Sequence, residues 1–151
     1  MTANEMVQII GKRLGLPELS LNKHGLCKIR LNDSIIIDFE EDDTKDWLHV
    51  YAGLTDDDAN LSRSTFLKLL QAHYLFNDTG HTSFGLDADG RLCIFMRAPV
   101  PGIAEELWVE MFEVFFSSYI EWKEKLSGWA AEEPLSHDEL PGLPSGNFIR
   151  V

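Results

Sequence analysis

The sequence predicts one α+β domain, a mainly antiparallel sheet carrying helices. Three observations lead there. Apolar residues recur at helical spacing near each end and once in the middle; two pairs of period-two segments are each joined by short polar turns; and strands and helices come in separate runs. The order along the chain is α-β-β-β-α-β-β-α. At 151 residues and 44% apolar content, the chain has the size and composition of a single packed core.

Residues 5–15 set Met6, Ile9, Ile10 and Leu14 near one side of a first helix, with Asn4 as its expected N-cap, Gly15 as its stop and Pro17 just beyond. The period then changes to two. Cys27, Ile29 and Leu31 alternate with Lys28 and Arg30; past Asn32-Asp33-Ser34, residues Ile35, Ile37 and Phe39 alternate with Ile36 and Asp38. This is a hairpin closed by an Asn-Asp turn. After the acidic loop 40–46, residues 47–54 form a third strand, favoured by Val50 and Tyr51.

A second acidic loop, 56–60, precedes Ser62 and Ser64, either of which can cap a helix. That helix carries Phe66, Leu67, Leu70 and Tyr74 on one face, and Leu69, Leu75 and Phe76 on its other side. Residues 83–87 and 91–97 flank Ala88-Asp89-Gly90 as a second hairpin. A last helix runs from Gly102 to about Lys125. Its polar strip is narrow, made of Glu106, Glu110, Glu113, Ser117, Glu121 and Glu124. Apolar residues from Leu107 and Trp108 to Trp122 and Leu126 fill roughly 240° of the remainder, against the ~100° stripe that one sheet requires. Part of that surplus, together with the two-sided second helix, is expected to meet a second subunit or an apolar segment of another chain. Residues 1–126 are the expected domain. Residues 127–151, with Pro134, Pro141 and Pro144 among glycines, have the composition of an extended C-terminal tail.

Charge and motif content narrow the function. Thirteen Lys and Arg against 25 Asp and Glu give a net charge of −12, which opposes binding to nucleic acid or to an anionic membrane. No stretch approaches the ~20 apolar residues of a membrane span, and Met1 to Glu5 lacks the basic flank of an export signal. Cys27 and Cys93 stand far apart in strand-like runs, as reduced thiols of a cytoplasmic protein do. The five histidines form no metal-ligand spacing, and Asp87-Ala88-Asp89-Gly90 fails the calcium-loop register because position twelve is Met96. No glycine-rich phosphate loop and no nucleophile elbow occurs, so no catalytic residue, cofactor or metal is expected. A dispersed active site would need a polar pocket drawing on His24, Asp38 and His49.

Several local patterns resemble the class I type III secretion chaperones, the small acidic family that includes the Tir chaperone. They are Leu14-Gly15-Leu16-Pro17, Asn22-Lys23-His24-Gly25-Leu26-Cys27-Lys28-Ile29, Leu69-Leu70-Gln71-Ala72-His73-Tyr74-Leu75-Phe76-Asn77 and Phe84-Gly85-Leu86-Asp87-Ala88-Asp89-Gly90-Arg91-Leu92-Cys93-Ile94, followed by a long helix with a late Trp122. The likeness runs from about Met6 to Trp122. It implies a cytoplasmic homodimer that, without nucleotide or catalysis, holds an N-terminal segment of a secreted effector extended in apolar grooves, sometimes with strand addition. The secretion ATPase is a further implied partner. A regulatory adaptor of the same fold, sequestering a regulator of secretion or transcription, is the alternative. Interface residues vary too much in this family to transfer by motif, so positions are taken from the predicted elements. Phe66, Leu69, Leu70, His73, Phe76 and Phe84 are the expected dimer contacts; Met6, Ile10, Leu14, Cys27, Ile29, Ile35, Ile37 and Trp47 the expected effector groove. The apolar tip of the tail, Phe148, Ile149 and Val151, exceeds what the family pattern requires.

Overall fold

The computed structural model describes residues 1–55 and 61–130, so the acidic loop 56–60 and most of the expected tail lie outside the described residues. Along the chain come α1 (Ala3–Arg13), β1 (Leu26–Leu31), β2 (Ile35–Glu41), β3 (Trp47–Gly53), α2 (Arg63–His73), a 3-10 turn (Tyr74–Phe76), β4 (Ser83–Leu86), β5 (Leu92–Pro99) and α3 (Glu105–Ala130). The predicted order holds. The five strands form one antiparallel sheet in the order β1-β2-β3-β5-β4.

Register decides which face is buried. Ile29 pairs with Ile37 and Phe39 with Val50, while Leu48, Val50 and Ala52 lie opposite Ala98, Met96 and Ile94. Since side chains alternate along a strand, these residues share one face, and α1 and α3 cover it. Phe39 stacks on Phe112 of α3 with ring centroids 5.9 Å apart. Trp108 is fully buried and its indole N–H donates to the Met6 carbonyl at 2.8 Å, so α3 is pinned to α1 through a satisfied polar contact. The three-residue β1–β2 turn places Asn32 and Asp33 at φ 49° and 59°, in the left-handed region that Asn and Asp tolerate better than most residues.

Three boundaries differ from expectation. The N-cap of α1 is Thr2, not Asn4: the Glu5 amide donates to the Thr2 hydroxyl at 3.2 Å, and the Glu5 carboxylate accepts from the Thr2 amide at 2.6 Å. Asn4 instead accepts from the Leu21 amide at 2.9 Å and ties down the loop after α1. The second correction is at the start of α3, which begins at Glu105, past Gly102. Thirdly, α3 continues through Ser127 and Gly128 to Ala130, beyond both the expected end near Lys125 and the expected start of the tail. Trp129 explains the extension, because its ring meets Trp122 at 6.1 Å and Lys68 of α2 sits over it at 4.8 Å. Most of the apolar arc of α3 is absorbed by the core: Trp108, Phe112, Phe115, Tyr119, Trp122 and Leu126 are buried, while Leu107 and Ile120 remain exposed.

Candidate functional site

The uncovered apolar surface is concentrated on α2 and the turn that follows. Ser62 caps the helix by accepting from the Thr65 amide at 3.2 Å, and the side facing the rest of the chain is narrow: Thr65, Leu69 and Ala72 are buried. The face carrying Phe66, Leu67, Leu70 and Tyr74 points outward. Leu70 is 69% exposed, against 3% for its neighbour Leu69. The chain then turns through Leu75 and Phe76, at φ 54° and 56°, with Leu75 72% exposed. Two successive bulky residues in the left-handed region are costly, and an aqueous surface gives no return for presenting them there.

Aromatic contacts hold this turn in place from behind. His73 meets Phe76 edge-on at 5.0 Å and Phe84 of β4 at 6.1 Å; Phe84 in turn meets Trp122 of α3 at 4.9 Å. The Trp122 indole donates to the Asp78 carbonyl at 3.3 Å, and His73 Nδ1 lies 3.4 Å from the Thr79 hydroxyl. Of the expected dimer contacts, the structure therefore exposes Phe66, Leu70 and Phe76, leaves His73 and Phe84 half-buried, and turns Leu69 inward. It also exposes Leu67, Tyr74 and Leu75, which were not among the expected dimer contacts. Apolar residues on both sides of α2 were the available signal.

The expected groove residues divide in a different way. Met6 and Ile10 of α1 and Ile29 and Ile37 of the sheet belong to the chain's own core and present almost no surface, because α1 and α3 pack on that face of the sheet. Leu14, Cys27 and Ile35 are half-buried against that core, near β1, an edge of the sheet, with Leu16 and Leu26 exposed around them. Asn22 occupies the start of that edge: its amide donates to the Leu26 carbonyl at 2.8 Å and its side chain accepts from the Leu26 amide at 3.1 Å. Burial raises the Cys27 thiol above its ordinary range. Trp47 lies on the opposite face of the sheet, half-buried beneath the Arg97 guanidinium at 4.3 Å.

An open cavity of about 710 Å³ is lined by Lys28, Asp38, Tyr51, Asp87, Arg91 and Cys93 among others. Several of its charges are paired within the chain. Lys28 lies 3.1 Å from Asp38, and Arg91 Nε donates to Asp87 at 2.6 Å. The backbone amide of Arg91, followed by its guanidinium, holds the Asp87 carboxyl below its ordinary range. Tyr51 donates to Glu40 at 3.3 Å, and burial, then the nearby Asp38 and Glu40 charges, pushes its phenol up to about 12. Burial also raises the Cys93 thiol, which donates to the Gly85 carbonyl at 3.3 Å. A protonated thiol and phenol make poor nucleophiles. The lining includes Asp38 but neither His24 nor His49, so the trio that a dispersed active site would have used is not assembled there. Among the described residues, no three His, Cys, Asp or Glu side chains converge as a metal site, and no helix is long and apolar enough to cross a membrane.

The model of the Tir chaperone protein (CesT) family matches residues 5–127. Solved structures at low identity share the fold. A chain in the ExsC–ExsE complex has a TM-score of 0.66 at 17% identity, covering 80% of this chain and 90% of that one. The HopA1–SchA chaperone–effector complex gives 0.62 at 15%, covering 80% and 91%. The Yersinia pestis type III secretion chaperone SycH, in complex with a stable fragment of YscM2, gives 0.61 at 12%, covering 80% and 99%. No curated protein matches the sequence.

Proposed function

The chain belongs to the Tir chaperone protein (CesT) family, and from that premise we propose that it is an ATP-independent type III secretion chaperone acting in the bacterial cytoplasm. It binds an N-terminal segment of a cognate effector, keeps that effector soluble and delivers it to the secretion ATPase. The observation that carries the reading is the outward apolar face of α2 and its turn, on which Leu70, Tyr74, Leu75 and Phe76 are all at least half exposed. Covering what these four still expose, the equivalent of roughly two and a half full side chains, is worth about 4–8 kcal/mol per protomer before association and ordering costs. A second copy is the occupant that supplies an equal and complementary surface.

The effector segment lies extended beside β1, one of the two edge strands of the described sheet, and sets its apolar side chains against Leu14, Cys27 and Ile35. Met6, Ile10, Ile29 and Ile37 form the rigid floor beneath. Backbone pairing supplies affinity, and the pockets supply choice among clients. The net charge of −12 keeps a molecule with such a surface from associating indiscriminately.

The test combines sedimentation with client mapping. At micromolar concentration the chain is expected to sediment as a dimer and Leu70→Asp as a monomer. From the native bacterium it should retain a secreted protein through a short N-proximal segment, and Ile35→Asp should release that protein without dissolving the dimer. A monomeric chain that retains no secreted protein rules the proposal out. Retention of a regulator that is not itself secreted selects the adaptor reading instead.

A further inference from the structure

We propose that the β1 edge sets both the register and the charge of the client strand it takes: pairing is confined to residues 27–31, and the client residue beside Arg30 is a carboxylate. The inference rests on the reading of this edge as the effector site, and it names the chemistry of the segment that fits there.

The chain itself closes one end of the edge. Backbone groups along a strand point alternately to its two sides. The Gly25 carbonyl accepts from the Glu41 amide of β2 at 2.9 Å. Leu26, the next residue, points the other way: its carbonyl accepts from the Asn22 amide at 2.8 Å, and its amide donates to the Asn22 side chain at 3.1 Å. By the same alternation Lys28 and Arg30 turn their amides and carbonyls toward the free edge. Asn22 therefore stands where an incoming strand would otherwise pair with Leu26. Two more bonds hold it there, from the His24 amide to its side chain at 2.8 Å and from the Gly25 amide to its carbonyl at 3.0 Å. What an added strand can pair with is the edge-facing backbone of Lys28 and Arg30.

The two faces of that strand meet different chemistry, because residues directly opposite each other share a face. Client residues beside Cys27, Ile29 and Leu31 lie on the core side, next to Leu14 and Ile35, where apolar side chains fit. Those beside Lys28 and Arg30 lie on the outer side. Lys28 is 3.1 Å from Asp38, its cross-strand partner, so its charge is already answered. Arg30 is exposed and stands opposite Ile36, which offers no charge; among the described residues it has no carboxylate partner. A carboxylate on the added strand supplies that partner, and a cation in its place is repelled. The net charge of −12 opposes acidic clients in general, so an acidic residue at this position is a local requirement set by Arg30 and not a consequence of overall charge. The client segment thus has apolar residues at alternate positions, with Asp or Glu between the two that lie beside Ile29 and Leu31.

The test uses the full chain and two capped seven-residue peptides. Both have valine at positions two, four and six and threonine elsewhere, except that position five is glutamate in one and lysine in the other. Binding is followed by NMR, through chemical-shift titration and through amide exchange along β1. The glutamate peptide is expected to slow exchange at Lys28 and Arg30, to leave Leu26 unchanged, and to bind about threefold or more tightly than the lysine peptide; Arg30→Glu should reverse that order. Slower exchange at Leu26 as well overturns the register. Equal binding of the two peptides, or an order that Arg30→Glu leaves unchanged, overturns the charge rule while the edge remains the site. Unchanged β1 exchange with both peptides overturns the whole inference, and a client still retained from the native bacterium in that case shows that effector binding stands without this edge.

Discussion

Helices α1 and α2 are each eleven residues long and each begin with a side-chain cap, yet they use their apolar residues in opposite ways. α1 buries Ala3, Met6, Val7, Ile10 and Gly11, and its basic end, Lys12 and Arg13, faces solvent. α2 buries two small or polar residues, Thr65 and Ala72, along with Leu69, and turns Phe66, Leu67 and Leu70 outward. Residues that would stabilise the fold if buried are kept at the surface, while a threonine fills the interior. The difference separates a helix whose apolar residues are spent on folding from one whose apolar residues are left in solvent, and it is measurable by mutation.

The largest effect is expected where α1 meets α3. Trp108→Ala removes a fully buried indole and its bond to the Met6 carbonyl, and should lower the unfolding free energy by about 3–5 kcal/mol in urea titrations. Loss of under 1 kcal/mol would mean that α1 is not anchored as described. Leu69→Ala comes next, at about 2–4 kcal/mol, because it empties the single large apolar site that α2 contributes to the core.

What the sequence made legible follows the same division. The β1–β2 hairpin was readable because alternation and Asn32-Asp33 are local signals that act within a few residues. The cap of α1 was readable in principle, since Thr2 followed by Glu5 is a capping box, but Asn4 is an equally good cap type, and only its contact with Leu21 assigns it elsewhere. The facing of α2 was not readable. Periodicity reports which residues share a side, not what covers that side, so Leu69 and Leu70 look alike in sequence. The same blindness assigned Met6, Ile10, Ile29 and Ile37 to a surface groove, although they are buried in the chain's own core. Likewise Ser127-Gly128 reads as a stop, and the contacts of Trp129 with Trp122 and Lys68 carry the helix through it.

Gly11→Ala sharpens the comparison through the sign of its effect. In an open helix this change gains up to about 1 kcal/mol. In α1 the new methyl would lie 2.6 Å from both the Leu16 carbonyl oxygen and the Leu19 Cβ, so a loss of about 1–3 kcal/mol is expected from thermal or urea unfolding. A gain would show that the loop after α1 yields easily and that the α1 side of the molecule is softer than its burial implies.

The smallest effect on folding is expected at Leu70, one residue from a site where the same substitution is severe. Leu and Ala have nearly equal helix propensity, and 69% of this side chain is already in water. In dilute solution, where the monomer dominates, Leu70→Ala should therefore change unfolding free energy by less than about 0.5 kcal/mol. Association supplies the contrast. If the proposed dimer forms through this face, its melting temperature should rise with protein concentration, and that dependence should be reduced in Leu70→Ala. If Leu70→Ala costs as much as Leu69→Ala in the dilute monomer, the outward face is part of the chain's own core, and the distinction between the two helices disappears.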